Sequence, residues 1–275
     1  MAVALLAASA AGAQAQDWRT LSSARQLGSE RSLEVDVEYA AGVLTIRPAP
    51  GGVLYDAHMR YDAGVFEPAL DYRRGRLVLD LEGEGIRGGN HEPGALDLDL
   101  SPDVPLDIDL KFGAGRADVE LGGLRIRRAS IATGASEAEV RFSRPNPVEA
   151  DELEVQVGAA SFELAGIGNA NAGRLTVAGG VGEVTLGFTG AWRRDMRADV
   201  KLGLGSLRLV LPRGLGVRVR KGGLLTSFDS QRFTKRGEMF YSEGWEDARH
   251  RLTLDIDAAF SSIDVRWVED PDFAP

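Results

Sequence analysis

The chain has 275 residues, no cysteine and a formal charge of −9 at pH 7. That length buries a sizeable core without disulfides, and the absence of cysteine leaves the redox compartment open. The acidic balance excludes a nucleic-acid partner, whose phosphates demand a clustered basic surface, and disfavours polybasic docking on anionic lipid.

Residues 1–15 are small and apolar and end in Ala13-Gln14-Ala15, an A-x-A cleavage pattern, although no Lys or Arg precedes the apolar run. They read as a signal peptide, with Gln16 the first mature residue and no Cys after the cleavage site to carry a lipid. No later run approaches the ~18 to 20 apolar residues that span a bilayer. The expectation is an exported protein, periplasmic or extracellular, with no transmembrane segment in the mature chain. Asp17 to Ser32 is polar and reads as a lead-in.

Strands follow by period-two alternation. Leu33, Val35, Val37 and Tyr39 alternate with acids, Ala41-Gly42 turns the chain, and Val43 to Ile46 returns before Pro48 and Pro50. Val53 to Tyr61, Ala69 to Glu82 and Leu96 to Leu100 continue the pattern, with an unpatterned loop from Gly83 to Gly94. From Leu106 to Arg220 one pattern recurs: alternating apolar residues, a glycine-centred turn, then alternation again. The turns are Gly113-Ala-Gly115, Gly134-Ala-Ser136, Gly158-Ala-Ala160, Gly179-Gly-Val-Gly182 and Gly203-Leu-Gly205, roughly 21 to 24 residues apart, the length of one solenoid coil or one stacked hairpin. The glycines there are expected to supply positive φ at tight turns. The coil with Ile131, Val140 and Phe142 is longer, ends at Pro145 and Pro147, and is expected to bulge. No window keeps helical spacing; Trp245 to Arg249 is at most one helical turn.

The fold expected is all-β: stacked β-strand repeats of solenoid character with an N-terminal β region. The divisions are 1–15 signal peptide, 16–105 N-terminal β region, 106–268 repeat region continuous with it, and 269–275 tail. One repeat alone does not bury enough apolar surface to offset the entropy of ordering it, so the units must stack. Stacking leaves two terminal edges. Residues 33–105 are expected to cover one, and the strands Leu252–Ile256 and Ile263–Trp267 to close the other.

The ordered series of Gly113 to Leu124, Gly166-Ile-Gly-Asn-Ala170, Val177 to Val184 and Gly203-Leu-Gly-Ser-Leu-Arg-Leu-Val-Leu-Pro-Arg-Gly214 with Val217 resembles the bacterial toastrack family. That family includes the extracytoplasmic part of LiaF-like envelope-stress proteins and adhesin-type domains. The resemblance runs from about Leu33 to Trp267, and its Leu-Pro-x-Gly-x-x-Val step is the most specific piece. It implies an interaction or sensing module of the cell envelope and carries over no catalytic residue. The chain departs from LiaF-like members in lacking transmembrane helices.

The residues themselves offer few sites. Asp97 with Asp99, Asp107 with Asp109, and Asp255 with Asp257 lie two apart, so each pair shares a strand face. A cation ladder or a glycoside-hydrolysing pair is conceivable chemistry for them, but a solvated face that discourages edge pairing is the plainer reading. His58, His91 and His250 lack metal-ligand spacing. Arg125, Arg127, Arg128, Arg193 and Arg194 suit an acidic glycan or partner, or simply solvent. Phe233, Phe240, Tyr241 and Trp245 form an aromatic stretch that is either a lid over the last coil or an exposed contact surface. No catalytic, cofactor-binding or metal residue is assigned and no cofactor is expected. The function expected is a non-enzymatic envelope interaction module with a protein partner or self-association. The alternative is a polysaccharide-binding or polysaccharide-active protein on a β-helix scaffold.

Overall fold

A strand of alternating apolar residues hides one face, and a glycine in mid-strand lets it bend so that both halves turn that face inward. The computed structural model describes residues 16–83, 93–223 and 227–273. In chain order the strands are β1 (Trp18–Gln26), β2 (Leu33–Pro48), β3 (Val53–Asp62), β4 (Phe66–Arg73), β5 (Arg76–Gly83), β6 (Ala95–Leu100), β7 (Pro105–Glu120), β8 (Arg125–Arg141), β9 (Glu152–Ala165), β10 (Arg174–Gly187), β11 (Met196–Pro212), β12 (Gly216–Gly222), β13 (Ser227–Phe228), β14 (Phe233–Arg236), β15 (Met239–Ser242) and β16 (Arg251–Val268). The fold is all-β, interrupted among the described residues by a four-residue 3-10 helix at Ile167–Ala170. The signal-peptide residues 1–15, His91 and most of the Gly83–Gly94 loop lie outside the described residues.

The long strands β2, β7, β8, β9, β10, β11 and β16, of 14 to 18 residues, are bent coils that pair in parallel. The repeats are therefore solenoid coils and not stacked hairpins, and the glycine turns are bends inside continuous strands. Register is kept from end to end. In the first arm Val35, Ile108, Ala129, Leu153, Leu175, Ala198 and Leu254 form one buried row. In the second arm Ala117, Ala138, Phe162, Val184, Leu207 and Ile263 form another. These rows face each other across the bend and make one continuous core.

The glycines of the bend do two jobs. Gly115 (φ 118°), Gly182 (φ 142°) and Gly205 (φ 138°) hold positive φ. Gly113, Gly134, Gly158 and Gly203 do not. They are glycine because a Cβ on each would meet a backbone oxygen of the preceding coil, as Gly134 would meet Gly113 O and Gly203 would meet Gly180 O.

The third side of each coil is loop, and asparagines join the loops. Asn146 is fully buried; its Nδ2 donates to Ile126 O (2.8 Å) and Ala170 O (3.0 Å), and its Oδ1 accepts from Val148 N (3.2 Å). Asn169 Nδ2 donates to Phe142 O (2.8 Å), and its Oδ1 accepts from Ala191 N (2.8 Å).

Several sequence expectations are corrected. The polar lead-in contains β1, which pairs antiparallel with β3; its only large apolar residues are Trp18 and Leu21, too few to show a period. The bulge expected in the coil with Ile131, Val140 and Phe142 is found at the start of β8: the register between β7 and β8 slips by one residue at Leu106/Asp107, leaving Arg127 unmatched. Trp245 to Arg249 is a non-helical turn. The last coil does not close the stack. β16 inserts between β11 and β12, parallel to both, and the cover over its first arm is β12 with the β14–β15 hairpin. At the other end the arms of β2 part: the first continues into β5 and β4, the second into β6, β3 and β1.

Candidate functional site

The outward residues of the first arm form rows of charge. One row runs Asp36, Asp109, Ser130, Glu154, Thr176, Asp199, Asp255 and Arg220 on successive neighbours. Like charges on neighbouring strands repel, and arginines from adjacent positions answer them. Asp107 accepts from Arg127 (2.6 Å) and Arg128 (3.0 Å). Asp99 accepts from Arg47 (2.7 Å), and Asp255 from both Arg197 and Arg220 (2.6 Å each). Of the remaining candidates, Asp97 sits opposite His58, Asp109 opposite Asp36, and Asp257 opposite Lys201. Asp107 on β7 and Asp255 on β16 are separated by four intervening strands, about 24 Å at ~4.8 Å per step. Asp97 lies on β6, which joins the second arm. A hydrolytic carboxylate pair spans at most about 9.5 Å, so these three do not form one.

Burial alone would raise the pKa of Asp255, but the Arg220 and Arg197 guanidiniums outweigh it and hold the carboxyl below its ordinary value. A depressed folded pKa stabilises the fold above the unfolded carboxylate pKa, and that contribution is lost as pH falls through the folded value. Arg220→Met is expected to raise the Asp255 pKa and to lower the urea midpoint only modestly at pH 7, since Arg220 is half exposed. The cost should vanish in acid, once the pH has fallen through the depressed folded pKa and the carboxylate is protonated. Carboxyl NMR titration with urea midpoints at pH 7 and in acid measures this; a midpoint deficit that persists in acid would contradict it.

Most of the other candidates are likewise held by contacts within the fold. His58 shares a hydrogen bond with Ser22 Oγ (2.9 Å) and lies 3.0 Å from Asp56. Burial, then Arg249, push the His250 pKa down. Among the described residues no three His, Asp or Glu side chains converge to hold a metal. Arg193 donates to Asn146 O (3.3 Å), Arg194 pairs with Glu149 (3.3 Å), and Arg125 lies at the start of β8 on the loop side. Phe233 and Phe240 pack with Phe228 at 5.5 and 5.0 Å, and Phe233 also meets Trp267 at 5.7 Å. Tyr241 packs edge-on to Trp245 (5.6 Å), which Arg218 and Arg251 flank. The aromatic stretch is a lid over the end of the core.

The structure adds a surface that no motif marked. In the later bends the middle residue points outward, and along the stack it grows: Ala159, Val181, Leu204 and Phe260 lie side by side. Val181, Leu204 and Phe260 are each about half exposed (53, 50 and 53%). Beside this apolar ridge runs a groove of about 820 Å³ lined by Thr133, Val157, Gly180, Leu202, Gly203 and Phe260. A second of about 790 Å³, lined by Tyr39, Phe112, Gly113 and Gly134, meets it at Thr133. The signal in the sequence was the rising size of the residue between the glycines, Ala, Ala, Ala, Val, Leu, then Phe260 in Ala-Phe-Ser. Among the described residues no helix is long and apolar enough to cross a membrane.

An open sheet of bent parallel coils with a loop third side defines an all-β, solenoid-type stack. The family model described as the N-terminal domain of toast_rack, DUF2154, matches residues 13–151, and the chain belongs to that family. No curated protein matches the chain. A solved structure of a proposed cell adhesion protein from Clostridium sporogenes is 13% identical with a TM-score of 0.48, covering 91% of this chain and 100% of its own. A proposed adhesin from Bacteroides fragilis is 10% identical with a TM-score of 0.34, over 90% of this chain and 97% of its own. A proposed lipid binding protein from Parabacteroides distasonis is 10% identical with a TM-score of 0.33, over 92% and 97%.

Proposed function

We propose that the chain is a non-enzymatic interaction module of the bacterial cell envelope, exported after loss of residues 1–15. It is organised as an N-terminal β region (16–105) continuous with a repeat region (106–268) and a short tail (269–275). The observation that carries this reading is the half-exposed ridge of Val181, Leu204 and Phe260 beside its glycine-floored groove. Aligned exposed apolar residues on a rigid sheet mark a contact surface, and of the candidate carboxylates Asp99, Asp107 and Asp255 are held in ion pairs within the fold.

The test is in-cell cross-linking and pull-down of the full chain against a Leu204→Ser/Phe260→Ser double variant. The expected outcome is an envelope protein recovered with the parent chain and lost, by roughly tenfold or more, with the variant. N-terminal sequencing should begin at Gln16. Equal recovery from both chains would remove the ridge as the contact. Recovery of glycan alone would shift the reading to a polysaccharide-binding scaffold.

A further inference from the structure

Sheet edges are the other place where this fold meets partners, and the N-terminal end has two. On β4, Pro68 stands opposite Leu81 of β5 in mid-strand; a proline there blunts an edge. The far end is guarded differently, by the four-residue β14 with Lys235 and Arg236. Beyond β13 no strand among the described residues pairs with the outer side of β16 over Asp264 to Val268. β1 is the longest of these edges, nine residues without proline.

The phase of β1 is set by its inner neighbour. Ala63 N donates to Asp17 O (2.8 Å), and Trp18 lies opposite Asp62. In an antiparallel ladder this makes the odd residues, 17 to 25, the hydrogen-bonded partners of β3. The N–H and C=O groups of Trp18, Thr20, Ser22 and Ala24 therefore point away from the sheet, where no strand among the described residues receives them.

The geometry points to a second copy of this chain as the occupant, its β1 paired antiparallel with the first across a two-fold axis at Leu21. Two long registers satisfy the outward groups. With the axis at Ser22, Arg19 would stand opposite the second copy's Arg25, like charge against like. With the axis at Leu21, Asp17 stands opposite the second copy's Arg25 at both ends of the contact. Thr20 then faces Ser22, Trp18 faces Ala24, and Leu21 meets Leu21 on the core side. Within one copy Asp17 already pairs with Arg19 (2.9 Å) and Arg25 with Glu30 (3.1 Å), so the contact extends these pairs: the Leu21 axis brings a further carboxylate to each Arg25, the Ser22 axis a further guanidinium, and a two-fold pairing uses the same patch on both copies. The result is a single sheet running through two stacks. This dimer deepens the interaction reading above and leaves the Val181–Phe260 ridge of each copy open.

The test is analytical ultracentrifugation of the full chain over the micromolar range, with three variants. The expected species has twice the 29.5 kDa mass of the chain. Thr20→Pro removes an outward N–H and leaves the β1–β3 ladder intact, so it should weaken association roughly tenfold or more with an unchanged circular dichroism spectrum. Leu21→Cys should cross-link the dimer on oxidation, because facing residues in a non-hydrogen-bonded pair have Cα atoms about 4.5 Å apart, within disulfide reach. Ser22→Cys should not. The parent chain has no cysteine to confuse the result. A monomer throughout, a dimer indifferent to Thr20→Pro, or cross-linking through Ser22→Cys in place of Leu21→Cys would each overturn the proposal. A monomer that still captures an envelope partner overturns the dimer alone; a dimer that captures nothing overturns the partner reading alone.

Discussion

Gly205→Ala is expected to lower the stability of the protein by about 2–6 kcal/mol, combining about 1–3 of backbone strain with a similar cost of overpacking. Gly205 sits at φ 138°, where an L-residue is strained, and a Cβ there would collide with Gly182 O of the coil before it. Its own coil, β11, is held on both sides by β10 and β16, so neither backbone can retreat without breaking a ladder. Gly51→Ala is the control, because a Cβ there meets nothing within 4 Å and φ is not positive. Urea midpoints of both variants measure the effect. A Gly205→Ala midpoint within error of the control would mean that the bend relaxes freely and that the glycine columns are not what sets coil spacing.

Asn146→Ala is expected to cost a comparable 3–5 kcal/mol or so, by a different route. The side chain is fully buried and satisfies three backbone groups: Ile126 O, Ala170 O and Val148 N. Alanine leaves two carbonyls and one amide without partners, at roughly 1–3 kcal/mol each, less whatever an entering water recovers. Because the asparagine joins the loops of adjacent coils, hydrogen exchange should accelerate at residues 142–151 and 166–173 ahead of the sheet. Asn146→Asp keeps the acceptor for Val148 N, loses both donations and sets a carboxylate against two carbonyls, so it should be at least as damaging. A loss below about 1 kcal/mol for Asn146→Ala would show that water replaces the amide.

The inward rows were legible because alternation marks the buried face of a strand whatever its partner. Leu153, Val155 and Val157, or Leu207, Leu209 and Leu211, declare themselves by spacing alone. Parallel pairing was not legible, since a period of two is the same in hairpin and coil. β1 was missed for the opposite reason: an edge strand has half its surroundings, needs few apolar residues, and so reads as polar chain. Nothing in the sequence marks Asn146, because only the neighbouring coil shows that it is buried. The acidic pairs looked like candidate sites in one dimension; across the sheet Asp107 and Asp255 find arginines from other coils.

The sequence by itself determined the all-β class, the coil length and the placement of the bends, because alternation and glycine restrict the backbone residue by residue. Tertiary structure alone decided that the coils stack in parallel, that β16 slots inside β12, that the bend residues line up into an exposed apolar ridge, and that β1 is left as the open edge. These are relations between residues up to 80 positions apart, as Gly190 N to Asp270 illustrates. A local pattern records which face of a strand is buried but carries no record of which strand lies beside it.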